Sequence, residues 1–126
     1  MEDFEKKICA DVIVEVVNLT RATWKEAGEL KKILDEDILL KYRRIVIDIN
    51  KCEFIDSTFV GALVVAQKKI TQLGGEIKLV EPLSAIQELL EKAGTLKLFD
   101  SYSTQREAIE SFSFNLEHNK AHPLRV

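Results

Sequence analysis

The chain has 126 residues, 46% apolar and 31% charged, the balance of one globular domain with a single core. Its 18 basic and 21 acidic residues leave a formal charge of -3, which gives no general attraction to nucleic acid or anionic lipid. The longest apolar run, Phe59 to Ala66, is too short to span a bilayer, and the acidic start Met1-Glu2-Asp3 is unlike a secretory leader. The expected compartment is the cytoplasm, with no membrane insertion.

Taken in order, Phe4 to Ile8 predicts a short strand. The β-branched stretch with Val12, Ile13, Val14, Val16 and Val17 predicts a second, either central or a hairpin partner. Thr23-Trp24-Lys25-Glu26 fits a capping box, with Thr23 as the cap and Glu26 reaching back to its amide. The helix that follows places Ala27, Leu30, Ile33, Leu34 and Ile38 on one face. Its charges, among them Glu29, Lys31, Lys32 and Asp35, fill the solvated face. Trp24 reads as a cover over the start of this helix; the competing reading is an aromatic anchor for an interface.

Arg44 to Ile49 predicts the next strand, apolar on both faces except at Asp48. A second helix runs from about Ser57 to Leu73 and ends at Gly74-Gly75, the first glycine suited to a left-handed C-cap position. Glu76 to Val80 reads as a strand of half-buried alternation. Pro82 suits the first turn of a third helix, with Ile86, Leu89 and Leu90 on its apolar face before Gly94. Leu96 to Phe99 has the pattern of a short edge strand, and Ser103 or Thr104 opens a last helix with Ala108, Ile109 and Phe112. The polar stretch from Asn115 to Val126 is expected to be a loose tail. Strands alternating with helices imply an α/β domain: a mixed, mostly parallel sheet of about five strands with about four helices packed on it. The two N-terminal strands should pair antiparallel at one side.

Catalysis has little to build on. A nucleophilic serine needs a base, and both histidines, His118 and His122, lie in the tail. Asp48 with Asp56 suggests the acidic metal site of a receiver domain. Such a site needs further carboxylates after the first strand, where this chain has Val17-Asn18-Leu19. No cofactor motif and no metal-ligand spacing is present. Cys9 and Cys52, each beside apolar neighbours, read as small buried fillers.

The most informative stretch is Asp56-Ser57-Thr58, between a strand and a helix. A hydroxyl at that junction can cap the helix, or carry a phosphate that the helix-end amides tolerate. The run from Arg44 through Asp48 and Phe54 to Asp56-Ser57-Thr58 resembles the signature of the STAS domain, specifically of bacterial anti-sigma factor antagonists. Leu73-Gly74-Gly75-Glu76-Ile77-Lys78-Leu79-Val80 is similar to the family's Gly-Gly turn and following strand. Leu90 to Phe99, with Gly94, is similar to its leucine-rich helix end and short edge strand. The resemblance covers residues from about 12 to 112 and implies a STAS-like domain over 1–114, with 115–126 as the flexible tail.

The resemblance implies a binding module and not an enzyme. Its partners would be an anti-sigma factor that is also a serine kinase of the GHKL type, and a phosphatase; binding the former frees a sigma factor. By position Ser57 is the phosphoacceptor whose modification ends binding, and Asp56, Thr58, Phe59 and Thr23 are the partner-binding residues. The family usually has glycine where this chain has Phe59, which adds bulk at the expected docking surface. It commonly has Gly-x-Leu-Asp where this chain has Thr20-Arg21-Ala22-Thr23, leaving Thr23 the capping role. The alternative is a constitutive STAS subunit of a lipid-transporting ABC system, or of a signalling scaffold, without a phospho-switch. Oligomeric state, monomer or weak dimer, is not decided by the sequence.

Overall fold

The valine-rich run forms strand β2 (Val12–Val17), and β1 (Phe4–Cys9) folds back on it antiparallel across a turn at Ala10 and Asp11. A computed structural model describes residues 2–80 and 98–112. After β2 come β3 (Arg21–Ala22), α1 (Trp24–Leu39), β4 (Arg44–Asp48), β5 (Phe54–Ile55), α2 (Ser57–Gln72), β6 (Glu76–Val80), β7 (Ser101–Tyr102) and a helix α3 over 105–112. The main sheet runs β1-β2-β4-β6-β7, parallel except for β1, and β3 with β5 forms a separate parallel ladder. The mostly parallel α/β sheet and the antiparallel N-terminal pair are as the sequence predicted.

Each central strand buries side chains on both faces, so each face needs a cover. Ile13, Val17, Ile45, Ile47, Ile77 and Leu79 point to one side. There the apolar stripes of α1 (Ala27, Leu30, Leu34, Ile38) and α2 (Phe59, Leu63, Ala66, Ile70) complete the larger core. Val12, Val14, Val16, Val46 and Val80 point the other way, where Ala108 and Phe112 of α3 close the smaller core.

Several expectations are corrected. Cys52 is buried, but Cys9 is exposed: β1 is the edge strand, and of its residues only Phe4 is buried. The strand Glu76–Val80 is not half-buried, because it lies between two neighbours under helices on both sides. Even Lys78 is sealed there, donating to Ser111 Oγ (2.7 Å) with its ammonium 4.4 Å from the Phe112 ring centre. The edge strand among the described residues is Ser101–Tyr102; Leu98 and Phe99 of the expected one are not in a strand, and Leu96 and Lys97 lie outside the described residues. Phe99 instead turns into the larger core, and the Leu98 carbonyl accepts from Gln67 Nε2 (2.6 Å). Gln67 also takes both main-chain groups of Ile77, standing in for a neighbouring strand at that point of β6. Three helices are seen among the described residues; the one expected after Pro82, the boundary at 114 and the tail 115–126 lie outside them.

Candidate functional site

The site is built where two helices begin side by side. The loop after β2 and the loop after β4 are stitched together by the β3–β5 ladder. The Glu53 and Phe54 amides donate to the Thr20 carbonyl, and the Asp56 amide to that of Ala22. Thr23 caps α1 through the predicted capping box: Glu26 Oε1 accepts from the Thr23 amide (3.0 Å), and Thr23 Oγ1 accepts from the Lys25 amide (3.3 Å). Asp56 then joins the two helix starts. Its Oδ1 accepts from the Phe59 amide (2.9 Å), capping α2, and its Oδ2 accepts from the Trp24 amide (2.8 Å) at the start of α1.

The capping role expected of Ser57 therefore belongs to Asp56. Aspartate caps as well as serine. The flanking Ile55 and Val60, both buried in the larger core, fit a hydrophobic staple that sets the helix entry one residue before Ser57. Ser57 is left as the first residue of α2, exposed, and Thr58 beside it is exposed too. Among the described residues, no hydrogen bond engages the Ser57 hydroxyl.

Phe59 is not at the surface. It is 0% exposed, one of the largest fully buried side chains, because the third position of α2 faces the sheet. The expectation that it meets a partner is corrected to a core role. Thr23 is half-buried, with its hydroxyl committed to the cap.

A cleft of about 430 Å³ opens beside these helix starts. Arg21, Trp24, Lys25 and Phe54 line it together with Thr23, Glu26 and Asp56. Trp24 is 66% exposed, which corrects its reading as a cover for the helix; Phe54 is 38% exposed. Arg21 and Phe54 are cross-strand partners in the β3–β5 ladder, and the guanidinium lies 4.3 Å from the ring centre. Sequence reasoning missed Arg21, Lys25 and Phe54. Nothing in two strands of two residues each announces their pairing.

The other chemistry-bearing residues are engaged. Asp48 accepts from the Asn50 amide (2.9 Å) and from Gln105 Nε2 (2.6 Å), so it braces a turn and α3. Asp48 and Asp56 each give both carboxylate oxygens to such bonds, so both act as structural acceptors that hold a turn or a helix start. The Cys52 thiol is pushed up to about 12, first by burial and then by the charge of Asp48, so it stays protonated and unreactive.

Among the described residues no helix is long and apolar enough to cross a membrane. A Thermotoga maritima protein provisionally named an anti-sigma factor antagonist is 30% identical over 108 residues, 85% of this chain and 95% of that one. The crystal structure of an anti-sigma factor antagonist so named from the same species matches with a TM-score of 0.77 at 28% identity, covering 86% of this chain and 92% of that one. The phosphorylated form of the Bacillus cell fate determinant SpoIIAA shares the fold, with a TM-score of 0.69 at 15% identity over 86% of this chain and 98% of that one. The model of the STAS domain matches residues 10–108. That span takes in the sheet from β2 onward and both helix starts, and the chain belongs to the STAS domain family.

Proposed function

We propose that this chain is a cytoplasmic, phospho-regulated binding module of the anti-sigma factor antagonist kind. Unphosphorylated, it binds an anti-sigma factor that is also a serine kinase and so frees a sigma factor; a phosphate on Ser57 ends the binding, and a phosphatase restores it. One observation carries the reading: Ser57 is exposed at the start of α2 while the neighbouring Asp56 already caps that helix. Among the described residues the hydroxyl has no hydrogen-bond partner, which leaves it available to a kinase. The names of the Thermotoga relatives, and the phosphorylated form of the fold neighbour SpoIIAA, support the same reading.

The physics of that position favours a switch of recognition over a switch of fold. A phosphoserine brings about -1.5 to -2 charge at neutral pH. At a helix N-terminus that charge meets a favourable dipole worth about 0.3–1 kcal/mol when exposed. A partner covering it would have to desolvate the phosphate next to the Asp56 carboxylate. Burying an unpaired charge costs several kcal/mol, and about 3–4 of those is already a hundred- to thousand-fold in affinity. Asp56, Thr58 and Thr23 form the docking rim, and Phe59 supports it from beneath.

The test is intact-mass measurement after incubation with ATP and the GHKL-type serine kinases encoded in the same genome, followed by capture of the kinase. One phosphate is expected on the wild type and none on Ser57→Ala, which stays bound when ATP is added. Ser57→Asp should lose capture by at least about a hundred-fold. Absence of phosphate with every such kinase, with capture unaffected by Ser57→Asp, would overturn the switch and favour a constitutive subunit.

A further inference from the structure

We propose that the cleft between the starts of α1 and α2 receives a segment of the partner protein that carries a carboxylate next to a large apolar side chain. The carboxylate sits on Arg21 and Lys25, and the apolar side chain against Trp24 and Phe54. The inference deepens the reading above, on which it rests, by giving the chemistry of the partner at the same end of the molecule.

Charge complementarity selects an acidic occupant. The lining carries two cations, Arg21 and Lys25, and two acids, Glu26 and Asp56. The acids are spent inside the chain: Glu26 on the Thr23 amide and hydroxyl, Asp56 on the Phe59 and Trp24 amides. Among the described residues neither Arg21 nor Lys25 makes an ion pair. The uncommitted hydrogen-bond donors on offer to a visitor are therefore the two cationic groups, although the acids keep their charge and the chain as a whole is negative. Arg21 is also preset for a carboxylate. Its guanidinium carbon lies 4.3 Å from the Phe54 ring centre, a contact that restrains a group able to take a carboxylate through a forked pair of N–H donors.

The aromatic walls select the neighbouring side chain. Trp24 is two-thirds exposed in the same lining as Arg21, and tryptophan and arginine are both enriched among the residues that dominate binding energy at protein interfaces. A nucleotide is the competing occupant, since it too would use an aromatic ring and cations. It fits less well: the polar groups that could read a base or ribose are already bonded within the capping box. With its two acids counted, the lining has no net positive charge to hold a polyphosphate, whereas a single carboxylate needs only the two uncommitted cationic donors. Regulation follows from position. Ser57 directly follows Asp56 of the lining, so its phosphate would repel the incoming carboxylate and compete for the same two cations.

Trp24 is the sole tryptophan, so its emission reports occupancy of the cleft. A random heptapeptide display library is panned on the full chain and on Arg21→Gln/Lys25→Gln, and the selected peptides are titrated by Trp24 fluorescence. The expected winners place Asp or Glu beside Leu, Ile, Phe or Trp. Changing that acid to its amide should weaken binding about ten- to a hundred-fold, as should Arg21→Gln. Selection of peptides lacking an acid, failure to select any peptide that depends on Arg21, or saturation of Trp24 by GTP but not by peptide would each overturn the proposal. Ser57→Asp separates the two readings. If it loses the kinase while Arg21→Gln and Trp24→Ala keep it, the switch stands and the cleft assignment falls. If acidic peptides bind wild type and Ser57→Asp alike, the cleft chemistry stands and the switch falls.

Discussion

At the scale of single residues, Asp56 has more to lose than the serine beside it. One carboxylate caps α2 and also holds the first amide of α1, so its removal leaves two helix-end donors without partners. Asp56→Ala should cost about 2 kcal/mol in urea unfolding, from a lost cap plus a charge-assisted hydrogen bond. Ser57→Ala, with nothing to break, should change stability by less than about 0.5 kcal/mol. An equal effect of the two would mean that Ser57 shares the cap. The sequence marks this junction clearly but not which of two adjacent cap-forming residues uses it. Both are good caps, and the choice falls to the buried Ile55 and Val60, whose packing is a property of the core. The burial of Phe59 escapes the sequence for a related reason. A helix read alone has no outside until the sheet beneath it is known.

At the scale of elements, β1, β2 and α1 meet around a buried ionisable cluster that no local pattern announces. Glu15 of β2 and Asp37 of α1 are 1% and 0% exposed, and Lys6 of β1 bridges them, 2.7 Å from Asp37 and 3.5 Å from Glu15. Burial first, then the hydrogen bond and charge of Asp37, push the Glu15 carboxyl up to about 9 against the opposing pull of Lys6. Between its ordinary value of 4.5 and about 9, the unfolded chain has released a proton that the folded chain keeps. Stability from this group is therefore complete below 4.5 and lost as pH rises through that window. Glu15→Gln, which keeps the shape of the protonated acid, should raise stability at pH 8 by about 1 kcal/mol. It should also flatten the fall between pH 5 and pH 9, as read from urea midpoints across that range. An unchanged slope would place the proton elsewhere.

The turn after α2 gives a second test at this scale. Gly74 takes a left-handed φ of 84°, while a Cβ at Gly75 would collide with the Arg43 carbonyl and the Ile70 side chain. Gly74→Ala should cost about 1 kcal/mol and Gly75→Ala clearly more, since the carbonyl it meets also anchors the Glu76 amide at the start of β6. The pair is legible in the sequence as a helix stop. That its second member is the tighter one depends on how closely the β4 entry passes.

At the scale of the molecule, the core and the candidate docking end occupy different ground. The two hydrophobic clusters lie above and below the sheet, whereas Ser57, Trp24 and the cleft sit at the helix starts, in contact with solvent. A charge added at Ser57 should therefore change who binds and leave the fold almost as it was. The Ser57→Asp chain is expected to melt within about 3 °C of the wild type, the shift that a dipole interaction well below 1 kcal/mol allows for a domain of this size. A fall of 10 °C or more would mean that this residue takes part in holding the fold.

The alternation of strands and helices, the antiparallel N-terminal hairpin, the capping box at Thr23 and the family to which the junction at Asp56-Ser57-Thr58 points are all legible in the amino-acid order alone. These are local signals, carried by spacing, β-branching and cap chemistry within one or two turns of chain. It takes the folded packing to bury Lys78 and Glu15, to leave Cys9 and Trp24 exposed, and to set Arg21 over Phe54 beside a cleft. Each of those depends on which element becomes the neighbour. A chain settles its neighbours through burial summed over the whole sheet, and no short stretch of it carries that sum.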